Sequence, residues 1–349
     1  MIGPVVHRIG MPRGATVIVA PGADIDPDEI IATHRSPKEP MRIAVASVLR
    51  RSPAEAAGML SVRPGSQVEA GHPIARGPDA REVLAPATSI LLGYSVADGW
   101  ALLAPLGVDE PVVGHVRGRV IRVEPSAVSV AIPGAMLRGV GGTGDAVHGE
   151  LVVAVHEPGE ELRAGAIDAN STGKIVVGGS RASAETLTRA RAMGVAGIVL
   201  GGVLDKELRD FEAIQRRRRE IGGLSGSFGL VLVEGFGKVA FDPQLFAWLR
   251  AHQGHVASLF GADHVMYVYD AGPPPARRAL PRVGERVVAH RRPFQGRGGV
   301  LVALLDDLHA TPSGIPCRMA LVRFEDGRLA PVPLANLEAV GPVQEQGDS

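Results

Sequence analysis

The segment Pro21-Gly22-Ala23-Asp24-Ile25-Asp26-Pro27-Asp28-Glu29-Ile30-Ile31-Ala32 recurs as Pro64-Gly65-Ser66-Gln67-Val68-Glu69-Ala70-Gly71-His72-Pro73-Ile74-Ala75, and a weaker third copy begins at Pro158. Each copy opens on a Pro-Gly pair: proline presets φ, and glycine supplies the positive φ that a tight turn needs. One inward aliphatic residue follows, then a second tight turn and an apolar strand. Such a unit cannot propagate as a helix. The copies are irregularly spaced, which excludes a solenoid array. They are expected to form the corners of a small β-barrel or sandwich.

Short apolar runs broken by Gly or Pro predict strands at 42–48, 90–94, 101–103, 112–123 and 127–132. One short helix interrupts them, with Ser52 as cap, Pro53 at the first helical position and Glu55 in the first turn. The pattern changes at Gly173. A strand at 174–177 precedes a helix-period segment at 183–193, and a strand at 196–200 precedes a helix opened by Asp205. A strand at 229–233, a helix opened by Asp242-Pro243 and a strand at 265–269 complete a βαβαβαβ series, whose strands are expected to be parallel. The run Ala271-Gly272-Pro273-Pro274-Pro275-Ala276-Arg277-Arg278 reads as a stiff linker. Beyond it, four or five strands with a hairpin signal at Asp326-Gly327 predict an SH3-like barrel.

The expected fold class is therefore an α+β multidomain chain. A β-rich barrel-sandwich-like region (1–165) precedes a central α/β domain of swivelling or Rossmann-like type with a mostly parallel sheet (166–270). A Pro-rich linker (271–281), an SH3-like β-barrel (282–343) and a tail (344–349) follow.

Thirty-seven basic residues balance thirty-seven acidic ones, so no whole-chain field draws this protein to nucleic acid or anionic lipid. Any such partner needs a local patch. Aromatics at 4% leave few rings for stacking platforms. Cys317 is the single cysteine, which excludes an internal disulfide and suits a reducing compartment. No apolar run has the length of a membrane span and no h-region is read near Met1, so a cytoplasmic location without membrane contact is expected.

Pro64-Gly65, Val68, Gly71, Ile74 and Ala85-Pro86-Ala87 resemble the biotinyl/lipoyl-type barrel-sandwich hybrid over residues 60–104. That family carries biotin or lipoate on a hairpin lysine. Here no lysine occurs between Lys38 and Lys174, and the expected hairpin reads Gly77-Pro78-Asp79-Ala80-Arg81. A guanidinium cannot form the amide, so the resemblance implies the fold without the cofactor. The order Gly173-Lys174-Ile175-Val176-Val177, helix, Gly194-Val195-Ala196-Gly197-Ile198-Val199 resembles the protease-associated swivelling domain, which implies a non-catalytic recognition module. Arg292-Pro293-Phe294-Gln295-Gly296-Arg297-Gly298-Gly299-Val300 resembles a KOW-type loop and its strand, which implies contact with RNA or protein.

In an open parallel sheet, ligands sit beyond the carboxyl ends of the strands. Three glycine-bearing loops fall there: Gly178-Gly179-Ser180 with Arg181, Gly201-Gly202, and Glu234-Gly235. Backbone N–H groups before the helix at 183 suit an anionic small molecule. Arg291, Arg292 and Arg297 are the candidate nucleic-acid contacts. His252, His255, Asp263 and His264 are candidate metal ligands by type, but the Gly254 break and the lack of an HExxH glutamate favour ordinary histidines. No nucleophile–base pair or complete phosphate loop is visible, and neither metal nor cofactor is expected. The leading expectation is a non-catalytic binding or scaffolding protein with a protein partner, with anionic-ligand binding or catalysis at the α/β edge and RNA or DNA binding by the C-terminal barrel as alternatives.

Overall fold

The computed structural model describes residues 5–220, 226–276, 280–311 and 316–342; Ser225, Arg277, Arg278 and the tail at 344–349 lie outside them. The first two copies of the repeat fold alike. Gly22 (φ 90°) donates its N–H to Val120 O, and Gly65 (φ 86°) donates to Leu91 O, each at 2.7 Å. The next aliphatic residue is buried in both, as Ile25 and Val68. Glu29 N–H then closes a turn on Asp26 O, as His72 N–H does on Glu69 O, and the strand that follows buries Ile31 or Ile74 completely. The third copy shares only the burial, at Leu162; Gly159 does not take a positive φ.

The chain lays down β1 (Val5–Gly10), β2 (Thr16–Val17), β3 (Asp24–Ile25) and β4 (Ile30–His34), then leaves on an excursion. The excursion holds β5 (Met41–Ile43), α1 (Val45–Leu49), α2 (Pro53–Ala57), β6 (Gln67–Val68), β7 (Pro73–Arg76), β8 (Glu82–Leu84), β9 (Ser89–Ser95) and β10 (Trp100–Pro105). The chain returns as β11 (Glu110–Val113), β12 (Gly118–Glu124) and β13 (Ala127–Ile132). Strands pair in the orders β1-β13-β12-β3 and β11-β4-β2 for the host, and β5-β10-β9-β6 with the hairpin β7-β8 for the excursion. At the neck, Arg35 grips Asp109 with Nε–Oδ1 at 2.8 Å and Nη2–Oδ2 at 2.9 Å.

The region expected as one unit at 1–165 thus contains two cores, one nested in the other. The inner core packs Val45, Leu49, Val68, Ile74, Leu91 and Leu103; the outer packs Ile25, Ile31, Val120, Val128 and Val130. The strand expected at 42–48 is instead β5 followed by α1, because Val45, Ala46 and Leu49 share one helical face against the inner core. Ser52, Pro53 and Glu55 do cap α2, with the reciprocal bonds of a capping box.

The largest sheet has eight strands in the order β14-β23-β22-β16-β18-β20-β21-β15. Its members are β14 (Gly134–Arg138), β15 (Gly141–Gly144), β16 (Ala146–Val153), β18 (Ile175–Val177), β20 (Gly197–Leu200), β21 (Gly229–Leu232), β22 (Val256–Phe260) and β23 (Val265–Tyr269), while β17 (Glu161–Leu162) and β19 (Arg181–Ala182) pair with each other. Helices α3 (Ala184–Ala192), α4 (Asp205–Glu220) and α5 (Pro243–Ala251) connect them. Strands β16, β18, β20 and β21 are parallel, and the rest are antiparallel.

Two corrections follow. The strand at 265–269 is antiparallel, because only Gly261–His264 separates it from a strand at 256–260 that the sequence reading missed, and four residues cannot make a parallel crossover. The fourth parallel strand is β16, so the boundary expected at 165 cuts through the sheet.

The C-terminal sheet comprises β24 (Glu285–Ala289), β25 (Gly298–Ala310), β26 (Pro316–Phe324), β27 (Leu329–Pro333) and β28 (Leu337–Pro342), in the order β27-β26-β25-β24-β28, with a 3-10 turn at Leu334–Asn336. Among the described residues its edges β27 and β28 do not pair, so the sheet stays open where an SH3-like barrel was expected. Cys317 and Met319 reach into the core of the eight-stranded sheet, and burial pushes the Cys317 thiol up to about 12. The whole is β-rich and built from several sheets. Among the described residues no helix is long and apolar enough to cross a membrane.

Separate cores predict separate responses. Ile74→Ala should cost the excursion about 2–5 kcal/mol and speed amide exchange in β6–β10, while β12 and β13 keep their protection in hydrogen-exchange mass spectrometry.

Candidate functional site

The carboxyl edge of the parallel strands is closed by the chain itself. A Cβ on Gly179 would lie 1.9 Å from Glu160 O, one on Gly201 2.1 Å from Val239 O, and one on Gly202 2.4 Å from Gly237 O. Gly178 meets the side chains of Leu200 and Leu162. These glycines are small because other backbone passes over them. Ser180 is fully buried and its hydroxyl donates to Gly159 O at 2.9 Å. Arg181 pairs with Glu161, Nη2–Oε2 2.8 Å.

The anion expected at the start of α3 is already supplied internally. Ser183 Oγ accepts from Thr186 N–H at 3.2 Å, and Glu207 on α4 accepts from Ala184 N–H at 2.7 Å. A carboxylate at a helix N-terminus is favoured by the same dipole that would have drawn a ligand. Six of the eight expected ligand residues are therefore engaged within the chain: Gly178, Gly179, Gly201 and Gly202 lie under crossing segments, Ser180 is hydrogen-bonded and Arg181 is paired.

Glu234 and Gly235 have a different setting. They line a cavity of about 400 Å³ between the α/β edge and the C-terminal sheet, together with Asp242, His290, Arg291 and Glu338. A second chamber of about 680 Å³ is lined by Arg138, Phe236, Asp263, His264 and Arg318. The two share walls at Val140, Leu280 and Ala335. Asn336 fixes the gap between the sheets: its Oδ1 accepts from buried Phe236 N–H at 3.1 Å, and its carbonyl accepts from His290 N–H at 2.9 Å.

All three acids that line the first chamber are engaged. Glu234 accepts from Asp242 N–H at 3.1 Å, Asp242 caps α5 through Gln244 and Leu245 N–H, and Glu338 pairs with His290. Among the described residues Arg291 donates only to its neighbour's carbonyl, His290 O, at 3.0 Å. Among the described residues neither Arg291 nor Arg318 meets a carboxylate.

Behind the second chamber His264 is buried at φ 56°, and His7 shares a 2.9 Å hydrogen bond with the Tyr267 hydroxyl. Burial holds both imidazoles below their ordinary pKa, with Asp263 opposing and Arg138 reinforcing the shift. Among the described residues neither His7 Nε2 nor His264 Nε2 has a hydrogen-bond partner.

The three arginines expected at a nucleic-acid surface have three different settings. Arg291 lines the cleft, Arg292 is exposed, and Arg297 is tied to Asp326 and lies over the Phe324 ring. His252 and His255 each spend Nδ1 on a backbone carbonyl, Trp248 O at 2.8 Å and Tyr269 O at 2.9 Å. The sequence reading passed over Arg138, Arg318 and Asn336, and considered His264 only as a metal ligand. They come from four distant segments, and no local spacing marks them.

No family model and no curated protein matches the chain. Among solved structures, a solution NMR structure of a UPF0107 protein aligns with 39% of this chain and 99% of its own, at 16% identity and a TM-score of 0.25.

Because Gly201 is pressed on backbone, Gly201→Ala should lower the melting temperature even without ligand, and Gly226→Ala, in open space, should not. Differential scanning fluorimetry of both variants checks this.

Proposed function

We propose that this is a non-catalytic binding protein whose ligand, an anionic small molecule, sits in the cleft between the α/β edge and the C-terminal sheet. The observation that carries the reading is the asymmetry of the lining. Glu234, Asp242 and Glu338 are committed to partners within the chain, whereas the Arg291 and Arg318 guanidinium groups meet no carboxylate among the described residues. A carboxylate or phosphate ligand satisfies such donors bidentately. The apolar shared wall of Val140, Leu280 and Ala335 suits the body of the same molecule.

The finer architecture is part of this proposal. The order β28-β24-β25-β26-β27, with one 3-10 turn before the last strand, supports an SH3-like module carrying a KOW-type loop. The Pro-Gly corners of the excursion support a lipoyl-like module, and its β7–β8 tip, Gly77 to Arg81, carries no acceptor lysine.

In a thermal-shift panel of dicarboxylates, phosphorylated sugars and nucleotides, at least one anion should raise the melting temperature. Arg291→Ala should remove most of that shift, since losing a charged hydrogen bond costs about 1.5–3 kcal/mol, ten-fold or more in affinity. No shift across the panel, or an equal shift in the variant, would sink the reading.

One observation favours protein docking beside it. Leu92, Val96 and Trp100 stand exposed along the β9–β10 hairpin. If this surface holds a partner, Trp100→Glu should abolish recovery of that partner from lysate while leaving the melting temperature within a degree or so of the parent.

A further inference from the structure

The junction between the first module, formed by the host strands β1–β4 and β11–β13, and the eight-stranded sheet holds two histidines that the cleft does not use. His115 lies in the loop between β11 and β12, and His148 lies in β16. Their Nδ1 atoms face each other at 3.3 Å, with ring centroids 5.5 Å apart. On its far side, His148 Nε2 lies 3.1 Å from Asp28 Oδ1.

We propose that His115 and His148 chelate one imidazole-preferring divalent ion, of the Zn2+, Cu2+ or Ni2+ class, through their Nδ1 atoms, with Asp28 orienting His148 from behind. The distance is the first argument. Two nitrogens bound at about 2.0–2.1 Å to a tetrahedral centre lie roughly 3.4 Å apart, close to the separation seen here. The proton inventory is the second. The Asp28 carboxylate beside His148 Nε2 favours a proton on that nitrogen, the tautomer that leaves His148 Nδ1 as a lone pair facing His115. Metal-bound histidines characteristically donate their other ring N–H to a carboxylate in this way.

Backbone geometry is the third argument. His115 is held at φ 51°, a left-handed conformation that costs a non-glycine residue free energy and persists only where surrounding contacts impose it. Those contacts are His115 N–H to Pro27 O at 3.0 Å and Gly114 N–H to Glu29 O at 2.9 Å. They belong to the turn that also carries Asp28, so one corner of the repeat positions both the ligand and the carboxylate behind its mate.

Among the described residues no group of three His, Cys, Asp or Glu side chains could hold a metal ion. Water therefore fills the remaining positions, and the site is a two-point staple between the first module and β16. Imidazole donors select ions of this class over Mg2+ or Ca2+.

The test uses the full chain, stripped with chelator and titrated with ZnCl2 by isothermal calorimetry. One equivalent should bind to the parent protein and be lost at least ten-fold in affinity in both His115→Gln and His148→Gln. Asp28 is exposed, so Asp28→Asn leaves the fold intact, and it should weaken binding by about ten-fold because the His148 ring loses the carboxylate that orients it. Electron paramagnetic resonance of the unmodified chain with one equivalent of Cu2+ should show two nitrogen ligands, both missing in the double variant. Absence of binding by the parent, equal binding by the double variant, or a copper spectrum without nitrogen coupling would overturn the proposal and leave the pair as an ordinary His–His hydrogen bond.

Discussion

Strand β23 is buried on both faces, and the rest of the molecule is arranged around that constraint. Side chains alternate across a strand, so Val265, Tyr267 and Tyr269 enter the core of the first module while Met266 and Val268 enter the core of the α/β sheet. A strand with no solvent face cannot be covered by one layer. The first module and the α/β sheet must therefore assemble together, and the polar ends of the tyrosines need partners inside. Tyr267 finds His7, and Tyr269 finds Ser258 and the Arg117 backbone. Both phenols are pushed above their usual pKa by burial. The C-terminal sheet docks by the same logic, with Cys317 and Met319 closing the other core.

The excursion at 35–109 is the part that escapes this coupling. Its core contains no residue from outside it, and it leaves the host through a two-strand neck held by the Arg35–Asp109 pair. Both ends of that pair are exposed, where an ion pair contributes little to stability, so it serves chiefly to keep the neck in register. The excursion's core therefore shares no side chain with the seam at β23.

Closure of the α/β edge explains why the cleft lies between sheets rather than beyond one. Segments 158–162 and 237–242 cross the strand ends so closely that only glycine fits beneath them, and Glu207 takes the helix N-terminus that a ligand would have taken. What stays open is the gap that Asn336 spans, where loops from the α/β sheet and the C-terminal sheet meet without filling the space. The glycines were legible as special positions, but glycine is required equally by a ligand and by a crossing backbone. Only the neighbours tell these apart.

The sequence by itself determined the local structure wherever the cause is local. The Pro-Gly corners, the Ser52, Ser183 and Asp242 caps, and the helices α3 to α5 follow from backbone preferences and capping chemistry written within a few residues. Tertiary structure decided what depends on partners far along the chain. The antiparallel hairpin β22–β23, the recruitment of β14 to β16 into the large sheet and the convergence of Glu234 with Arg291 each join segments with no common local signature. The reason is physical: a turn is specified by the torsions of its own residues, whereas strand order and clefts are set by which apolar faces can be buried together.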